Sequence, residues 1–322
     1  MKALWLENRQ IAMREIQIPA DEQEALIRIR LAGICGTDLE LVKGYYPFTG
    51  VPGHEFVGEV CALPRALDKA GDEKWLGKRV TGVINVSCQK CEQCLNGRES
   101  HCEKRSVLGI MNRNGVFAEY CQLPLRNLVE VPDSIPDEAA VFTEPLAAAL
   151  EINQQVQIHP TDRVLLIGAG RLGLLIAQTL KLSGANLRVA ARHDQQKKIL
   201  KKVGIEPIEA EDIQPKRWDV VVEATGSSAG FETARKAIRP RGTIVLKSTY
   251  AGQLTTDMSS IVVDEITLLG SRCGPFRPAL NLLQQKLIET EALIGAEFPL
   301  SDAIKAFESA AQKGMLKVLL RP

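Results

Sequence analysis

Thr161–Gly173 reads T-D-R-V-L-L-I-G-A-G-R-L-G, an apolar run followed by three spaced glycines. Arg163–Ile167 has the length and composition of a buried strand, and Leu172–Leu182 is an apolar helix candidate. Between them, Gly168, Gly170 and Gly173 spell G-x-G-x-x-G. The first glycine makes a tight turn, the second lets a pyrophosphate approach the backbone, and the third lets helix pack on strand. Phosphates then meet the unpaired amides at the helix start. The same glycines would also serve a tight turn without a ligand. The strand–turn–helix context favours a dinucleotide site, with Gly168, Gly170, Arg171, Leu172 and Gly173 against the phosphates.

The alternation continues downstream. Leu187–Ala191, Trp218–Glu223, Gly242–Lys247 and Glu265–Gly270 are strand candidates, with helices over Asp194–Val203 and Phe231–Ile238. That order implies a doubly wound parallel sheet covered on both faces, with ligand at its carboxyl edge. Thr225, just past the Trp218–Glu223 strand, falls on that edge. The second strand bears on cofactor choice. A carboxylate at its tip would bond the adenosine ribose 2′-OH, but here the chain reads V-A-A-R-H and Arg192 stands there instead. A guanidinium suits a 2′-phosphate, so NADP is favoured over NAD. Asp194 is close enough to take the ribose role if Arg192 is only a solvated charge.

The first half differs in character. Ile11–Ile16 and Ala25–Ile29 are candidate strands of a half-buried antiparallel sheet, joined by Val57–Val60, Arg79–Val86 and Ala118–Leu123. A β-rich, barrel-like domain follows. Cys88, Cys91, Cys94 and Cys102 interrupt it at the spacing C-x2-C-x2-C-x7-C. The residues between them are polar, which rules out a core role. Four thiolates suit a closed tetrahedral zinc site with no position left for chemistry. A disulfide pair and an iron–sulfur cluster use the same residues.

Cys35 lies in G-I-C-G-T-D and His54 in P-G-H-E-F, each beside glycine, with Glu55 next to His54 and Glu144 in T-E-P-L. One Cys, one His and one or two carboxylates would leave a coordination position open, the pattern of a catalytic zinc. Taken singly, each has a plainer reading. Cys35 would be a small buried hydrophobe, His54 a structural histidine, and Glu144 a carboxylate favoured at a helix start. Spacing alone does not unite them.

The formal net charge is +1, from 40 basic and 39 acidic residues, which gives no electrostatic footprint for nucleic acid or membrane. The opening M-K-A-L-W-L-E-N-R-Q-I-A-M lacks a signal-peptide core, so a cytoplasmic location is expected. In a reducing compartment eight cysteines point to metal more than to disulfides. After Pro278 the pattern gives a helix over Ala279–Leu287, a helix over Ala303–Ala311 capped by Ser301, and a strand over Lys317–Leu320. This tail is expected to return to the first domain. The expected division is therefore 1–150 with 284–322, carrying a metal lobe over about 86–104, and 151–283 for the nucleotide.

Gly33–Asp38, Gly53–Glu55, the Cys88–Cys102 spacing, Gly115–Tyr120, Thr143–Leu146 and Gly168–Gly173 occur in that order along the chain. Together they resemble the zinc-dependent medium-chain dehydrogenase/reductase (alcohol dehydrogenase) family, nearest its polyol- and threonine-dehydrogenase-like branch. That resemblance implies a GroES-like catalytic domain joined to a Rossmann domain, and two zinc ions, one catalytic and one structural. It implies catalytic zinc on Cys35 and His54, with Glu55 and Glu144 as further or exchanging ligands. Thr37 would take the substrate proton, and Asp38 would orient His54. Many relatives carry histidine at the position of Glu40, so a proton path through Glu40 departs from the pattern. The implied activity is hydride transfer between a secondary alcohol or polyol and NAD(P), with zinc as Lewis acid. The alternatives are an NADPH-dependent carbonyl reductase of the same family and, remotely, a non-catalytic zinc and nucleotide scaffold. The resemblance also implies a small-molecule partner and a homodimer or homotetramer. Tyr45, Tyr46, Phe48 and Phe276 are candidate pocket walls.

Overall fold

The computed structural model describes residues 1–65, 71–249 and 253–322. They form two units, Met1–Glu144 with Phe276–Pro322, and Pro145–Pro275. Along the chain come β1 (Lys2–Glu7), β2 (Gln10–Glu15), β3 (Ala25–Ile34), α1 (Gly36–Val42), β4 (Glu55–Ala62), β5 (Arg79–Gly82) and β6 (Asn85–Val86). They are followed by α2 (Glu92–Leu95), β7 (Ser106–Val107), β8 (Tyr120–Leu123), β9 (Leu128–Glu130), α3 (Asp137–Ala140) and α4 (Thr143–Gln155). The second unit contributes β10 (Arg163–Ile167), α5 (Arg171–Lys181), β11 (Asn186–Ala190), α6 (Asp194–Lys202), β12 (Pro207–Ile208) and β13 (Trp218–Glu223). Then come α7 (Ser228–Ala237), β14 (Ile238–Leu246), α8 (Met258–Val263) and β15 (Thr267–Gly270). The tail supplies α9 (Phe276–Gln284), β16 (Ile294–Pro299), α10 (Ala303–Ala311) and β17 (Lys317–Arg321).

The first unit is built on a sheet of order β16-β17-β3-β4-β5-β9, with β8 also on β3. Its central strand β3 alternates buried and exposed residues to Arg30, then is buried continuously from Leu31 to Ile34. The alternating part meets solvent on one face, and the continuous part lies within the core. Gly33 pairs with Glu55 on one side and Leu319 on the other. The tail strand therefore packs on the element that leads to Cys35. Phe56, Phe117, Phe142, Leu4, Leu6 and Ile27 are among the fully buried side chains of this core.

The strand expected over Arg79–Val86 breaks into β5, which pairs with β4 and β9, and β6, which pairs with β7 in a separate sheet. Ile11–Ile16 and Ala25–Ile29 fall in different sheets: among the described residues β2 pairs with β1, and β3 lies in the larger sheet. Ser301 does not cap the last helix. It lies inside a 3-10 turn, Leu300–Asp302, and Asp302 precedes α10.

In the second unit every sheet pairing among the described residues is parallel, in the order β12-β11-β10-β13-β14-β15. Strand order reverses between β10 and β13, the switch point where doubly wound sheets take nucleotides. Leu165, Val221, Ile244 and Ala234 sit at its core. No helix among the described residues is long and apolar enough to cross a membrane.

Candidate functional site

The turn after β3 places the first candidate centre. Cys35 is in extended conformation at the mouth of α1, and its thiol accepts the backbone amide of Asp38. In return the Asp38 carboxylate accepts the Cys35 amide at 2.8 Å. This reciprocal cap satisfies amides at the start of the short helix, whose Leu41 is buried in the core. The second Asp38 oxygen faces His54 Nδ1 at 3.3 Å. Asp38, His54 and Glu55 are all buried. With Nδ1 turned to a carboxylate, Nε2 is the ring nitrogen left for an ion.

Cys35, His54 and Glu55 each present a donor atom within 4.8 Å of the other two. The Glu55 Oε1 atom is buried and has no hydrogen-bond partner. Its other oxygen accepts from Lys317 Nζ at 2.5 Å. A thiol, an imidazole and an orphaned carboxylate oxygen make a donor set that fits zinc with room for one more ligand. The His54 pKa is raised well above 6.5: burial opposes protonation, but Asp38 and then Cys35 outweigh it.

The structure brings together Cys35, His54, Glu55 and Asp38, with Thr37 Oγ1 3.8 Å from Cys35 Sγ. Glu144 is the second residue of α4, half-buried, and lies outside the three converging donors. Glu40 sits one turn beyond Thr37 on α1 and pairs with Lys43 at 2.7 Å. Tyr45 and Tyr46 are 50% and 38% exposed, whereas Phe276 is buried at the start of α9. Lys317 was not anticipated from sequence. It is 262 positions from Glu55, and no local pattern joins them.

The second centre is local. Cys91 precedes α2, Cys94 lies within it, and Cys102 follows a 3-10 turn. All four thiols lie within 4.8 Å of one another, with Cys91 Sγ 3.5 Å from Cys94 Sγ and 3.8 Å from Cys102 Sγ. These separations exceed the ~2.05 Å of a disulfide. They match the ~3.8 Å edge of a tetrahedron with ~2.3 Å zinc–sulfur bonds. The amide of Lys90 is the main cause that draws the Cys88 pKa down to about 6, whereas burial pushes Cys94 up to about 11. The amides of Cys88 and Lys104 point at Cys102 Sγ, at 3.3 and 3.4 Å. The Cys88 end of the lobe is thus pre-set for thiolate charge.

The third candidate region is the turn from β10 into α5. Gly168 has φ of 103°, and a Cβ at Gly173 would come within 2.0 Å of Gly168 O, while a Cβ at Gly170 would touch nothing within 4 Å. Two glycines therefore serve the turn, and the third keeps the approach to the helix start clear, as a pyrophosphate requires. Arg171 and Leu172 open α5. Thr225 donates its amide and hydroxyl to Glu223 Oε1, at 2.6 and 2.5 Å, and so shapes the turn at the end of β13. Arg192 is exposed two residues past β11, with His193 leading into α6.

Residues 21–133 match the family described as alcohol dehydrogenase GroES-like domain, and residues 172–285 match the one described as zinc-binding dehydrogenase. L-galactonate-5-dehydrogenase of Escherichia coli (strain K12) is 31% identical over 313 residues, 92% of this chain and 90% of that protein. A protein of Sinorhizobium meliloti 1021 described as a zinc-binding dehydrogenase, solved with NADP, superposes with a TM-score of 0.90 at 30% identity, covering 100% of this chain and 99% of that one. The RspB alcohol dehydrogenase of E. coli CFT073, solved with NADH, also gives 0.90, at 28% identity and with coverage of 100% and 99%.

Proposed function

The chain belongs to the zinc-dependent medium-chain dehydrogenase/reductase (alcohol dehydrogenase) family and is an NAD(P)-dependent enzyme, and we propose that it oxidises a secondary hydroxyl of a polyol or polyhydroxy acid reversibly to a ketone. The observation that carries this reading is the convergence of Cys35, His54 and Glu55 within 4.8 Å, beside a buried carboxylate oxygen with no other partner. A relative named for L-galactonate supports a polyhydroxylated substrate.

When bound, zinc would supply Lewis-acid polarisation of a substrate oxygen, and the nicotinamide cofactor would supply the hydride-transfer chemistry. The chain's own residues position and discharge. Cys35, His54 and Glu55 would hold the catalytic ion, with Glu144 as a further or exchanging ligand. Asp38 fixes the His54 ring by its Nδ1. Thr37 takes the hydroxyl proton and passes it toward solvent by way of Glu40 at the exposed end of α1. Cys88, Cys91, Cys94 and Cys102 hold a second, structural zinc.

Gly168, Gly170, Arg171, Leu172, Gly173 and Thr225 receive the dinucleotide, and Arg192 favours NADP through its 2′-phosphate. The NADP-bound relative supports this preference, and the NADH-bound one makes it a matter for direct measurement. The edge strand β15 leaves Leu268 exposed, and α8 leaves Val262 and Val263 72% and 80% exposed, which supports a homodimer or homotetramer.

The test is a panel of polyols, sugar acids and secondary alcohols with NAD and NADP, run beside metal counts on wild type and Cys35→Ser. Loss of turnover with one zinc missing is the expected result. Wild-type turnover in a variant lacking that zinc would overturn the assignment.

A further inference from the structure

Lys247 is a buried cation with no role in the chemistry above. It directly follows β14 and is 9% exposed. Its amide donates to Glu223 O at 2.9 Å, and the Ser271 amide donates to Leu246 O at 3.0 Å, so the sheet ladder continues past the ends of β13, β14 and β15. Lys247 Nζ donates to Ser271 Oγ at 3.1 Å and to Arg272 O at 2.6 Å. The ammonium is thereby pinned across the carboxyl ends of β14 and β15 by short, charge-assisted bonds. Helix α4 closes over the same corner. Gln155 Nε2 reaches Gly270 O at 3.5 Å, and a Cβ at Gly274 would come within 1.9 Å of Ala147 O. Glu151 of α4 is near enough to feel the charge: burial raises its pKa, and Lys247 draws it back.

The location gives this cation a meaning. The sheet order places β11 and β12 on one side of the switch point and β13, β14 and β15 on the other. In a doubly wound sheet the adenosine half lies over the first set, so the nicotinamide half lies over the second, at the carboxyl ends. An oxidised nicotinamide ring carries a positive charge, and a reduced one carries none. A fixed cation at that end repels only the oxidised form. We propose that Lys247 biases the bound couple toward its reduced ring, with Glu151 as the partial counterweight that limits the bias.

This inference rests on the dinucleotide reading of the second unit. It is tested by fluorescence titration of NADP+ and NADPH, and of NAD+ and NADH, against wild type, Lys247→Met, Lys247→Arg and Glu151→Gln. The quantity read is the ratio of oxidised to reduced Kd. Lys247→Met lowers it about tenfold, Lys247→Arg leaves it within about twofold, and Glu151→Gln raises it about threefold, as expected for one charge in a partly buried setting. A brace without electrostatic effect would weaken both forms equally in Lys247→Met, and that result overturns the proposal. If Lys247→Met does not fold, an unchanged ratio in Glu151→Gln overturns it. Wild type that binds neither form would overturn the dinucleotide reading itself, and this inference with it.

Discussion

Lys317 places its ammonium 2.5 Å from Glu55 Oε2, and both side chains are almost fully buried. They meet over Gly33, where a Cβ would stand 2.5 Å from the same oxygen and 3.3 Å from Lys317 Cδ. The cross-strand register puts Gly33, Glu55 and Leu319 on one face, and Lys317 two residues before Leu319 returns to it. The pair leaves Glu55 Oε1 buried without a hydrogen-bond partner, on a carboxylate that lies within 4.8 Å of the Cys35 and His54 donor atoms.

Replacing Lys317 with Met should cost about 3–5 kcal/mol, because a buried carboxylate loses its counter-charge. The loss should be larger in chelator-treated protein than in zinc-loaded protein, since the ion would supply the missing positive charge. Denaturant unfolding with and without chelator checks this. Equal losses in both would show that Glu55 does not sense the metal.

Metal content should separate the two centres. Cys91→Ser should lose one zinc and unfold at a lower temperature, whereas Cys35→Ser should lose the other zinc with its melting temperature little changed. Elemental analysis beside thermal melts decides it, and a Cys91→Ser protein with full metal content would refute the structural role.

Thiol chemistry gives a pH readout of the lobe. With its pKa drawn down to about 6, Cys88 of metal-stripped protein remains a thiolate at neutral pH, while Cys94, pushed up to about 11, remains protonated. Iodoacetamide at pH 7 should therefore label Cys88 first. Labelling should fall as pH drops below about 6, and zinc should suppress it. Peptide mass mapping gives the order.

Asp219 joins three strands of the second unit. It accepts from the Arg163 amide and guanidinium and from Arg239 Nε, and its side chain is 15% exposed. The Arg163 bonds, against opposing burial, and then the Arg239 bond hold its pKa well below the ordinary value. A depressed carboxylate contributes stability that is full above its unfolded pKa of ~3.9 and fades as pH falls through the folded value. Asp219→Asn should thus cost about 2–4 kcal/mol at neutral pH, and the gap to wild type should shrink below pH ~3.9. A gap that stays constant down to pH ~2 would contradict the linkage.

The glycine turn offers a separation of folding from binding. Gly173→Ala puts a Cβ within 2.0 Å of Gly168 O and should lower stability. Gly170→Ala meets nothing within 4 Å and should melt like wild type, yet bind cofactor at least about tenfold more weakly. Calorimetric titration beside thermal melts checks both.

What was legible in the sequence followed the range of the interactions involved. The four-cysteine lobe and the strand–glycine–helix turn are set by residues within 15 positions of one another, so their spacing carries their geometry. Cys35 and His54 became a pair only through resemblance, because the sheet, and no local pattern, joins β3 to β4. Lys317 and Lys247 were silent. A lysine inside an apolar strand reads as a solvated edge residue until its buried partners, Glu55 and Ser271, are seen. Helix α1 also escaped notice, since Gly36 and Thr37 are weak helix formers and the segment is held by its Asp38 cap.

The tail strand β17 has a consequence for the order of assembly during synthesis. The cysteine lobe is complete once residue 102 has emerged, and nothing distant is needed to gather its thiols. The acidic centre at Glu55 waits for residue 317 before its charge is balanced from the protein side. A nascent chain therefore gathers its four cysteines long before the Glu55 carboxylate is anchored, and an ion captured early at the candidate site of Cys35 and His54 would meet an unanchored carboxylate.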